Sequence, residues 1–407
     1  MTTSALSTLG CSRCSRTYDP DRVQQLCECG APLLACYDLA AAAKSLTRES
    51  LALRPPDLWH FRELLPVRRN DAIVSLGEQA SPILPLRRAG ESVGLTALYC
   101  KDEGALPTGS FKARGAAVGI SRARELGVQK FAMPSNGNAG CAWSLYAARA
   151  GMQAIIVMPA LAPSVYRIQC QLAGAKVVVV DGLINDAGRL VSRACTKAGV
   201  YDVSTLKEPY RIEGKKTLGF EIAEQFEWNV PDVIVYPTGG GVGLIGMHKA
   251  FRELHAIGLL GPALPRFFAV QSSGCAPIVK AFREQRDVSQ PWDGASTVAF
   301  GINVPKAIGD FLILRILKET GGGAIAVDDD EIVEYQERLA RQEGVLASLE
   351  GAATLAAVAQ ARQQGTIGPR ERVLIINTAS GAPYLENVCP PIEKLGADDE
   401  LQIPPDH

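Results

Sequence analysis

The chain has 407 residues, 47% of them hydrophobic, which is enough for two or three domains with cores of their own. A formal net charge of −1 and a pI near 6.5 exclude the strongly basic balance typical of proteins that bind nucleic acid or anionic membranes. The sequence has no apolar run of the roughly 18 residues that a membrane span needs, and its first residues lack a secretory-signal pattern. We therefore expect neither nucleic acid nor a membrane as partner.

The first 40 residues hold five of the eleven cysteines and predict a small Cys-rich head. Cys11-x-x-Cys14 and Cys27-x-Cys29 have the look of a zinc ribbon, in which thiolates from two turns complete a tetrahedral site. Cys36 is a substitute ligand. Reduced, metal-free thiols are the alternative. Most of the other cysteines lie singly in apolar surroundings, which suits buried thiols in a reducing cytoplasm.

From about residue 96, short apolar runs alternate with amphipathic stretches. Continuous apolar strands separated by helices indicate parallel sheets covered on both faces, so the sequence predicts an α/β fold. In such folds ligands bind beyond the carboxyl ends of the strands. The predicted strands are TALYC, KFAMP, AIIVMP, KVVVVD, DVIVYP, RFFAVQ and RVLIIN.

Lys112 follows the turn Pro-Thr-Gly-Ser, residues 107–110, which predicts a loop ending at a helix start. The lysine would then lie in the first helical turn, where the positive end of the helix dipole disfavours a free ammonium. A solvated lysine that tolerates a small penalty is one interpretation. A lysine neutralised as an imine would avoid the penalty.

Three further loops follow predicted strands. PSNGNAG, residues 134–140, offers open backbone amides and two asparagine side chains. PTGGGVG, residues 237–243, could close its backbone amides on a phosphate, although it matches neither the P-loop nor the full dinucleotide fingerprint and a structural turn is the alternative. NTASGAP, residues 377–383, adds hydroxyl groups. A lysine, an asparagine loop, a phosphate cradle and a hydroxyl would together hold pyridoxal phosphate.

This set of loops, in this order, resembles the fold-type-II, tryptophan synthase β-like pyridoxal-phosphate enzymes, and most closely the threonine synthase family. The resemblance runs from about Ser75 to Gly381 and includes SLGEQASPILPL, KDEGALPTGSFKARG and SNGNAG…YAARAG. EPYRIEGKKTLGFEI resembles the family's Asn-Pro-x-Arg-Ile-Glu-Gly-Gln-Lys-Thr segment. We expect a zinc-ribbon-like head (1–40), a larger cofactor-binding domain (41–122 and 206–392), a smaller α/β domain (123–205) and a tail (393–407).

The resemblance also implies residue roles. Lys112 would be the catalytic residue and carry the cofactor as an imine. The remaining cofactor-binding residues would be Asn138, Gly239, Gly240, Gly241, Val242, Gly243 and Thr378. The substrate-binding residues would be Thr108, Ser110, Ser135, Asn136, Gly137, Ala139, Arg167, Arg211 and Lys216.

The implied activity is a lyase reaction that converts O-phospho-L-homoserine and water to L-threonine and phosphate, by elimination and addition of water at Cβ. Three departures from the family pattern, at Ala113, Ala139 and Glu208, leave open a serine/threonine dehydratase or a β-replacement enzyme. A non-catalytic cofactor-binding protein is the weaker alternative, because the lysine and the glycine loop are both present. We expect a small amino-acid substrate, a homodimer and a cytoplasmic location.

Overall fold

The structure, a computed structural model, describes residues 4–387. The predicted tail (393–407) and the last residues of the predicted larger domain (388–392) lie outside the described residues. The strands are β1 (Leu6–Cys11), β2 (Thr17–Tyr18), β3 (Leu33–Tyr37), β4 (Ile83–Pro85), β5 (Ala97–Asp102), β6 (Lys130–Pro134), β7 (Gln153–Pro159), β8 (Lys176–Val180), β9 (Tyr201–Asp202), β10 (Val233–Pro237), β11 (Arg266–Ser272), β12 (Gly323–Val327) and β13 (Arg372–Asn377).

The helices are mostly placed between consecutive strands, as parallel sheets require. They are α1 (Leu39–Ala43), α2 (Arg48–Ala52), α3 (Arg87–Ser92), α4 (Lys112–Glu125), α5 (Asn138–Ala150), α6 (Ser164–Leu172), α7 (Ile184–Ala198), α8 (Arg211–Gln225), α9 (Val242–Ala256), α10 (Pro277–Arg283), α11 (Asp310–Glu319), α12 (Asp329–Glu343) and α13 (Leu349–Gln363).

The strands form three sheets. A six-stranded sheet has the order β12-β11-β10-β13-β5-β4, parallel except for the edge strand β4. A four-stranded parallel sheet has the order β8-β7-β6-β9, and the N-terminal head holds an antiparallel sheet of order β2-β1-β3. The predicted α/β fold with parallel sheets is therefore confirmed, and each of the seven predicted runs lies in one of the two parallel sheets.

The six-stranded sheet is buried on both faces. In β10, Ile234 and Tyr236 pack into one apolar cluster, and the alternate residues Val233 and Val235 pack into another. Side chains of a strand point to opposite faces in turn, so a strand covered on both sides is apolar throughout. This burial explains why the runs DVIVYP and RVLIIN do not alternate with polar residues.

Membrane crossing needs a long and strongly apolar helix. Within residues 4–387, no helix meets both requirements.

Candidate active site

A cavity of about 420 Å³ lies at the carboxyl ends of the parallel strands. The four loops singled out in the sequence all contribute to its wall. They supply Lys112 after β5, residues 134–139 after β6, residues 239–242 after β10 and Thr378 after β13. The position is the one at which open parallel sheets bind ligands.

Lys112 is the first residue of α4 and lines the cavity. The helix cap is Phe111, which offers no side-chain cap, and its ring centroid lies 3.9 Å from the Lys112 Nζ. Burial lowers the pKa of Lys112 to about 7; the charge of Glu350 opposes this shift and that of Arg211 adds to it. A substantial fraction of the amine is therefore neutral near pH 7, the form that attacks a carbonyl carbon.

The asparagine loop is held by its own side chains. Ser135 Oγ accepts hydrogen bonds from the amides of Gly137 (3.0 Å) and Gly140 (2.7 Å), and the Asn136 side chain donates to the carbonyl of Phe300 (3.1 Å). Gly137 has a φ of 145°, and a Cβ there would lie 2.3 Å from the ring of Tyr166. Helix α5 then begins at Asn138, so the amides of Asn138 and Ala139 lack partners within the helix and are available to an anion.

The glycine loop joins β10 to α9. Gly241 caps α9 with a φ of 71°, and a Cβ there would lie 2.2 Å from Ile313 Cδ1. A Cβ at Gly239 would lie 2.9 Å from the Gly301 carbonyl oxygen. The backbone therefore lies against its neighbours with no room for side chains, and the amides of a helix start face the cavity, which is the arrangement that binds phosphate.

Gly243 departs from the prediction, because it does not line the cavity. A Cβ at Gly243 would lie 2.1 Å from the Tyr236 hydroxyl oxygen. The glycine makes room for this tyrosine behind the loop.

The cavity wall carries an excess of positive charge. It includes Glu350 as the one acidic residue among the described lining residues. Its basic residues are Lys112, Arg189, Lys207, Arg211, Lys215 and Lys306. A wall of this composition suits a ligand with more than one negative group.

Arg211 starts α8 and is buried. Its guanidinium donates to Thr205 Oγ1 (2.9 Å) and to the Val203 carbonyl, while its Nε has no partner among the described residues. Burial lowers the pKa of Arg211 to about 10, so the group remains charged at neutral pH.

Lys216, a predicted substrate residue on this helix, lies outside the cavity wall. It is fully buried away from the cavity, with its Nζ 2.6 Å from Glu213 Oε2 and 2.8 Å from Glu253 Oε2. Successive helical residues point about 100° apart, and it is the preceding residue, Lys215, that lines the cavity.

Three other predicted substrate residues, Thr108, Ser110 and Arg167, do not line the cavity. Ser110 is buried beneath the loop and pairs through its backbone with Ala379. On α6 it is Tyr166, not the adjacent Arg167, that lines the wall.

Glu208, one of the departures from the family pattern, also lies outside the wall. Its carboxylate accepts hydrogen bonds from the backbone amides of Tyr210 (2.8 Å) and Arg211 (2.7 Å) at the start of α8. Burial raises the pKa of Glu208 to about 7. The residue therefore caps a helix and does not present an unpaired charge to a ligand.

The sequence motifs did not assign Arg189, Lys207, Lys215, Lys306 or Glu350 to the site. Glu350 Oε1 accepts hydrogen bonds from the Gly301 amide (2.6 Å) and the Tyr384 hydroxyl (2.9 Å), and its buried Oε2 has no partner among the described residues. Arg189, Lys207 and Lys306 lie on helices and loops outside the recognised motifs, whereas Lys215 lies within RIEGKKT. The one sequence signal for any of them is the pair of adjacent lysines in RIEGKKT.

In the head, the sulfur atoms of Cys11, Cys14, Cys27 and Cys29 all lie within 4.8 Å of one another. Cys11 and Cys29 are 3.5 Å apart and Cys14 and Cys27 are 3.6 Å apart. Sulfurs around a tetrahedral zinc ion, with Zn–S bonds of about 2.3 Å, would be about 3.8 Å apart. Cys36 is exposed and does not belong to this cluster.

Solved structures share this fold. Diaminopropionate ammonia lyase from Escherichia coli superposes with a TM-score of 0.67 at 19% identity, covering 77% of this chain and 88% of that chain. Maize serine racemase gives a TM-score of 0.64 at 23% identity, covering 74% and 88%. The model of the pyridoxal-phosphate dependent enzyme family matches residues 74–379. The chain belongs to this family, and the resemblance seen in the sequence is confirmed.

Relatives of higher sequence identity include several threonine synthases. Threonine synthase from Methanocaldococcus jannaschii is 35% identical over 372 residues, 91% of this chain and 91% of that protein. Threonine synthase from Methanosarcina acetivorans is 36% identical over 372 residues, 91% and 90% of the two chains. Threonine synthase from Halalkalibacterium halodurans is 31% identical over 325 residues, 80% and 88%.

Proposed function

We infer that the chain is a pyridoxal-phosphate-dependent threonine synthase, a lyase that converts O-phospho-L-homoserine and water to L-threonine and phosphate. The observation that carries this inference is a cavity at which the four motif loops meet and in which six basic residues accompany one acidic residue. The similarity to threonine synthases over about nine tenths of the chain supports it.

The residues of the cavity fit the cofactor. We propose that Lys112 is its covalent attachment point, because the burial of this amine favours the neutral, nucleophilic form. The amides of residues 239–242 would hold the phosphate at the start of α9, because the glycines let this stretch of backbone lie close against its neighbours at the cavity wall. Asn138 and Thr378 would contact the ring. When bound, the cofactor supplies an electron sink for charge that develops on the substrate carbons.

The chain's own residues would bind and move protons around the substrate. The loop of residues 135–139, at the start of α5, would hold the substrate carboxylate. We propose that the Lys112 amine moves the protons at Cα and Cβ, since the side chain lines the same cavity and has a pKa of about 7.

A phosphorylated substrate needs a second anion site beside that of the cofactor. We propose that Arg211, Lys207 and Arg189 form it. Lys207 and Arg189 line the cavity, and each is also paired with a carboxylate, Lys207 with Asp202 Oδ2 (2.8 Å) and Arg189 with Asp186. Arg211 lies deeper and retains a buried Nε without a partner among the described residues.

Product assays test the proposed activity. With cofactor and O-phospho-L-homoserine, we expect inorganic phosphate and L-threonine to appear in equal amounts. Keto-acid release from serine and threonine should be much slower. Rapid keto-acid release without phosphate release would contradict threonine synthase and favour the dehydratase alternative.

We also propose a structural zinc ion bound by Cys11, Cys14, Cys27 and Cys29. The near-tetrahedral spacing of the four sulfurs and a hydrogen bond from the Tyr18 hydroxyl to Cys27 (3.3 Å) support it. Metal analysis of protein purified without chelator should give about one zinc per chain, as a closed four-thiolate site binds one ion. Metal-free protein with four titratable thiols would contradict the proposal.

We also propose the domain boundaries, the cellular location and the oligomeric state. The division into two parallel sheets supports the larger and smaller domains with their boundaries near residues 122 and 206. The ten described cysteines are free thiols, which supports the cytoplasm as the location. A homodimer is testable by sedimentation.

A further inference from the structure

Lys215 has a buried amine that the sequence motifs do not explain. The residue is 3% exposed, and its Nζ donates a hydrogen bond to the carbonyl oxygen of Phe111. That carbonyl belongs to the peptide bond that joins Phe111 to Lys112. The Nζ atoms of Lys215 and Lys112 lie 4.2 Å and 3.9 Å from the centroid of the Phe111 ring. The second lysine therefore contacts the backbone and the aromatic side chain that precede the first.

Two glycines, Gly115 and Gly246, leave space for the Lys215 side chain. A Cβ at Gly115, on α4, would lie 3.0 Å from Lys215 Cε and 3.1 Å from its Nζ. A Cβ at Gly246, on α9, would lie 3.0 Å from the Lys215 Cβ. Both distances are too short for ordinary packing, so side chains at these two positions would displace the lysine. The close packing of α4, α8 and α9 thus leaves one narrow route to the Phe111 carbonyl.

Burial and the neighbouring positive charges favour the neutral form of the Lys215 amine. Burial and the positive charges of Lys112 and Arg211 lower the pKa of Lys215 well below its usual value. Glu103 opposes this shift and Arg114 adds to it, both with smaller effects. A neutral amine still donates a hydrogen bond to a carbonyl, and it adds no positive charge beside Lys112.

We propose that Lys215 is a positioning residue for Lys112. Its amine fixes the Phe111–Lys112 peptide at the start of α4 through the hydrogen bond to the Phe111 carbonyl, and so aims the Lys112 side chain into the cavity. This inference rests on the proposed role of Lys112. The family segment that RIEGKKT resembles has glutamine at this position, and a glutamine amide could donate the same hydrogen bond without a titratable amine.

The rate at which added pyridoxal phosphate attaches to the cofactor-free chain tests the proposal without measuring turnover. We expect about a tenfold slower attachment in Lys215→Met, which loses the donor. In Lys215→Gln we expect a rate within about threefold of wild type. Lys215→Arg keeps donors but adds a permanent charge, and we expect it to be about tenfold slower than wild type. Lys197→Met, an exposed lysine in the last turn of α7, is the matched control and should attach the cofactor at the wild-type rate.

Wild-type attachment in Lys215→Met, or a Lys215→Gln variant as slow as Lys215→Met, would overturn the proposal. If Lys215→Met does not fold, the comparison of Gln and Arg decides: equal rates overturn it. Borohydride reduction and peptide mapping of wild type separate this result from the proposed function. An adduct on another lysine contradicts the role of Lys112, whereas an adduct on Lys112 with unaltered attachment in Lys215→Met contradicts the positioning role alone.

Discussion

The buried basic residues on the two sides of helix α8 differ in their pairing with carboxylates. On the cavity side, Arg211 and Lys215 lie in a wall that has a single acidic residue among its described members. On the other side, Lys216 and Lys249 contact Glu213 and Glu253 at 2.5–3.0 Å, and the charges of this cluster balance.

The difference indicates where a ligand is expected. A buried charge is costly unless it is paired. Arg211 is charged and forms no ion pair within the part of the chain that the structure describes, so it favours an anion from outside the chain. The balanced cluster needs none, and the Tyr37 hydroxyl completes it from the head by donating to Glu213 Oε2 (2.9 Å). The pairing of the cations therefore distinguishes the cavity wall from the structural cluster, although the adjacent residues Lys215 and Lys216 belong to one each.

The largest expected effect comes from Lys112→Ala. Without this amine we expect neither covalent cofactor attachment nor turnover, since α4 contributes Lys112 as its one amine to the described cavity wall and Lys215 is held against the Phe111 carbonyl. Absorbance of the bound cofactor and a borohydride-trapped adduct measure attachment. A trapped adduct in the variant would mean that another lysine carries the cofactor.

Arg211→Ala removes one cation from the cavity side of α8. A hydrogen bond to a charged group contributes about 1.5–3 kcal/mol, so kcat/KM for O-phosphohomoserine should fall roughly tenfold to a hundredfold. The loss for serine, which has no side-chain anion, should be much smaller. Arg193→Ala, an exposed arginine on α7, is the control. Equal losses for both substrates would show that Arg211 supports the Val203–Thr205 loop and does not select phosphate.

The pH dependence of cofactor attachment tests the lowered pKa of Lys112. Below pH 7 the amine is protonated and has no lone pair, so attachment should slow as pH falls, by about tenfold per unit. Above the pKa of about 7 the rate should level off. A rate that still rises at pH 9, toward the ordinary lysine pKa of about 10.4, would contradict the burial of this amine.

Lys216→Met breaks the balanced cluster. Removing one partner of a buried ion pair costs about 3 kcal/mol, so the free energy of unfolding should fall by about that amount, with Lys249 left to neutralise both carboxylates in part. The ratio of kcat/KM for phosphorylated and unphosphorylated substrates should stay within about threefold of wild type. A selective loss of kcat/KM for the phosphorylated substrate would show that Lys216 contributes to phosphate binding.

The sequence predicted the parts of the fold that depend on local pattern. Apolar runs such as DVIVYP and RVLIIN are strands because they are buried on both faces, and the loops after them meet because parallel strands end at one edge. The strand β12 was missed because its segment, GAIAV, begins at the last of three consecutive glycines, which are typical of a loop.

The cations of the cavity could be predicted only in part. Arg211 stood in a recognisable motif, whereas Arg189 and Lys207 reach the wall through long-range packing that no local pattern encodes. Helix α8 is buried around most of its circumference, so its sequence has no polar face from which to assign Lys215 and Lys216 to their sides. Only the neighbouring helices decide that assignment.

The cavity is proposed to hold two anions, and a crystal structure of the cofactor-loaded protein with a non-reactive phosphonate analogue of O-phosphohomoserine tests this proposal most directly. We expect the cofactor phosphate at the amides of residues 239–242 and the phosphonate within hydrogen-bond distance of Arg211, Lys207 or Arg189. A phosphonate that binds away from these three cations, or a cofactor phosphate away from the glycine loop, would contradict it.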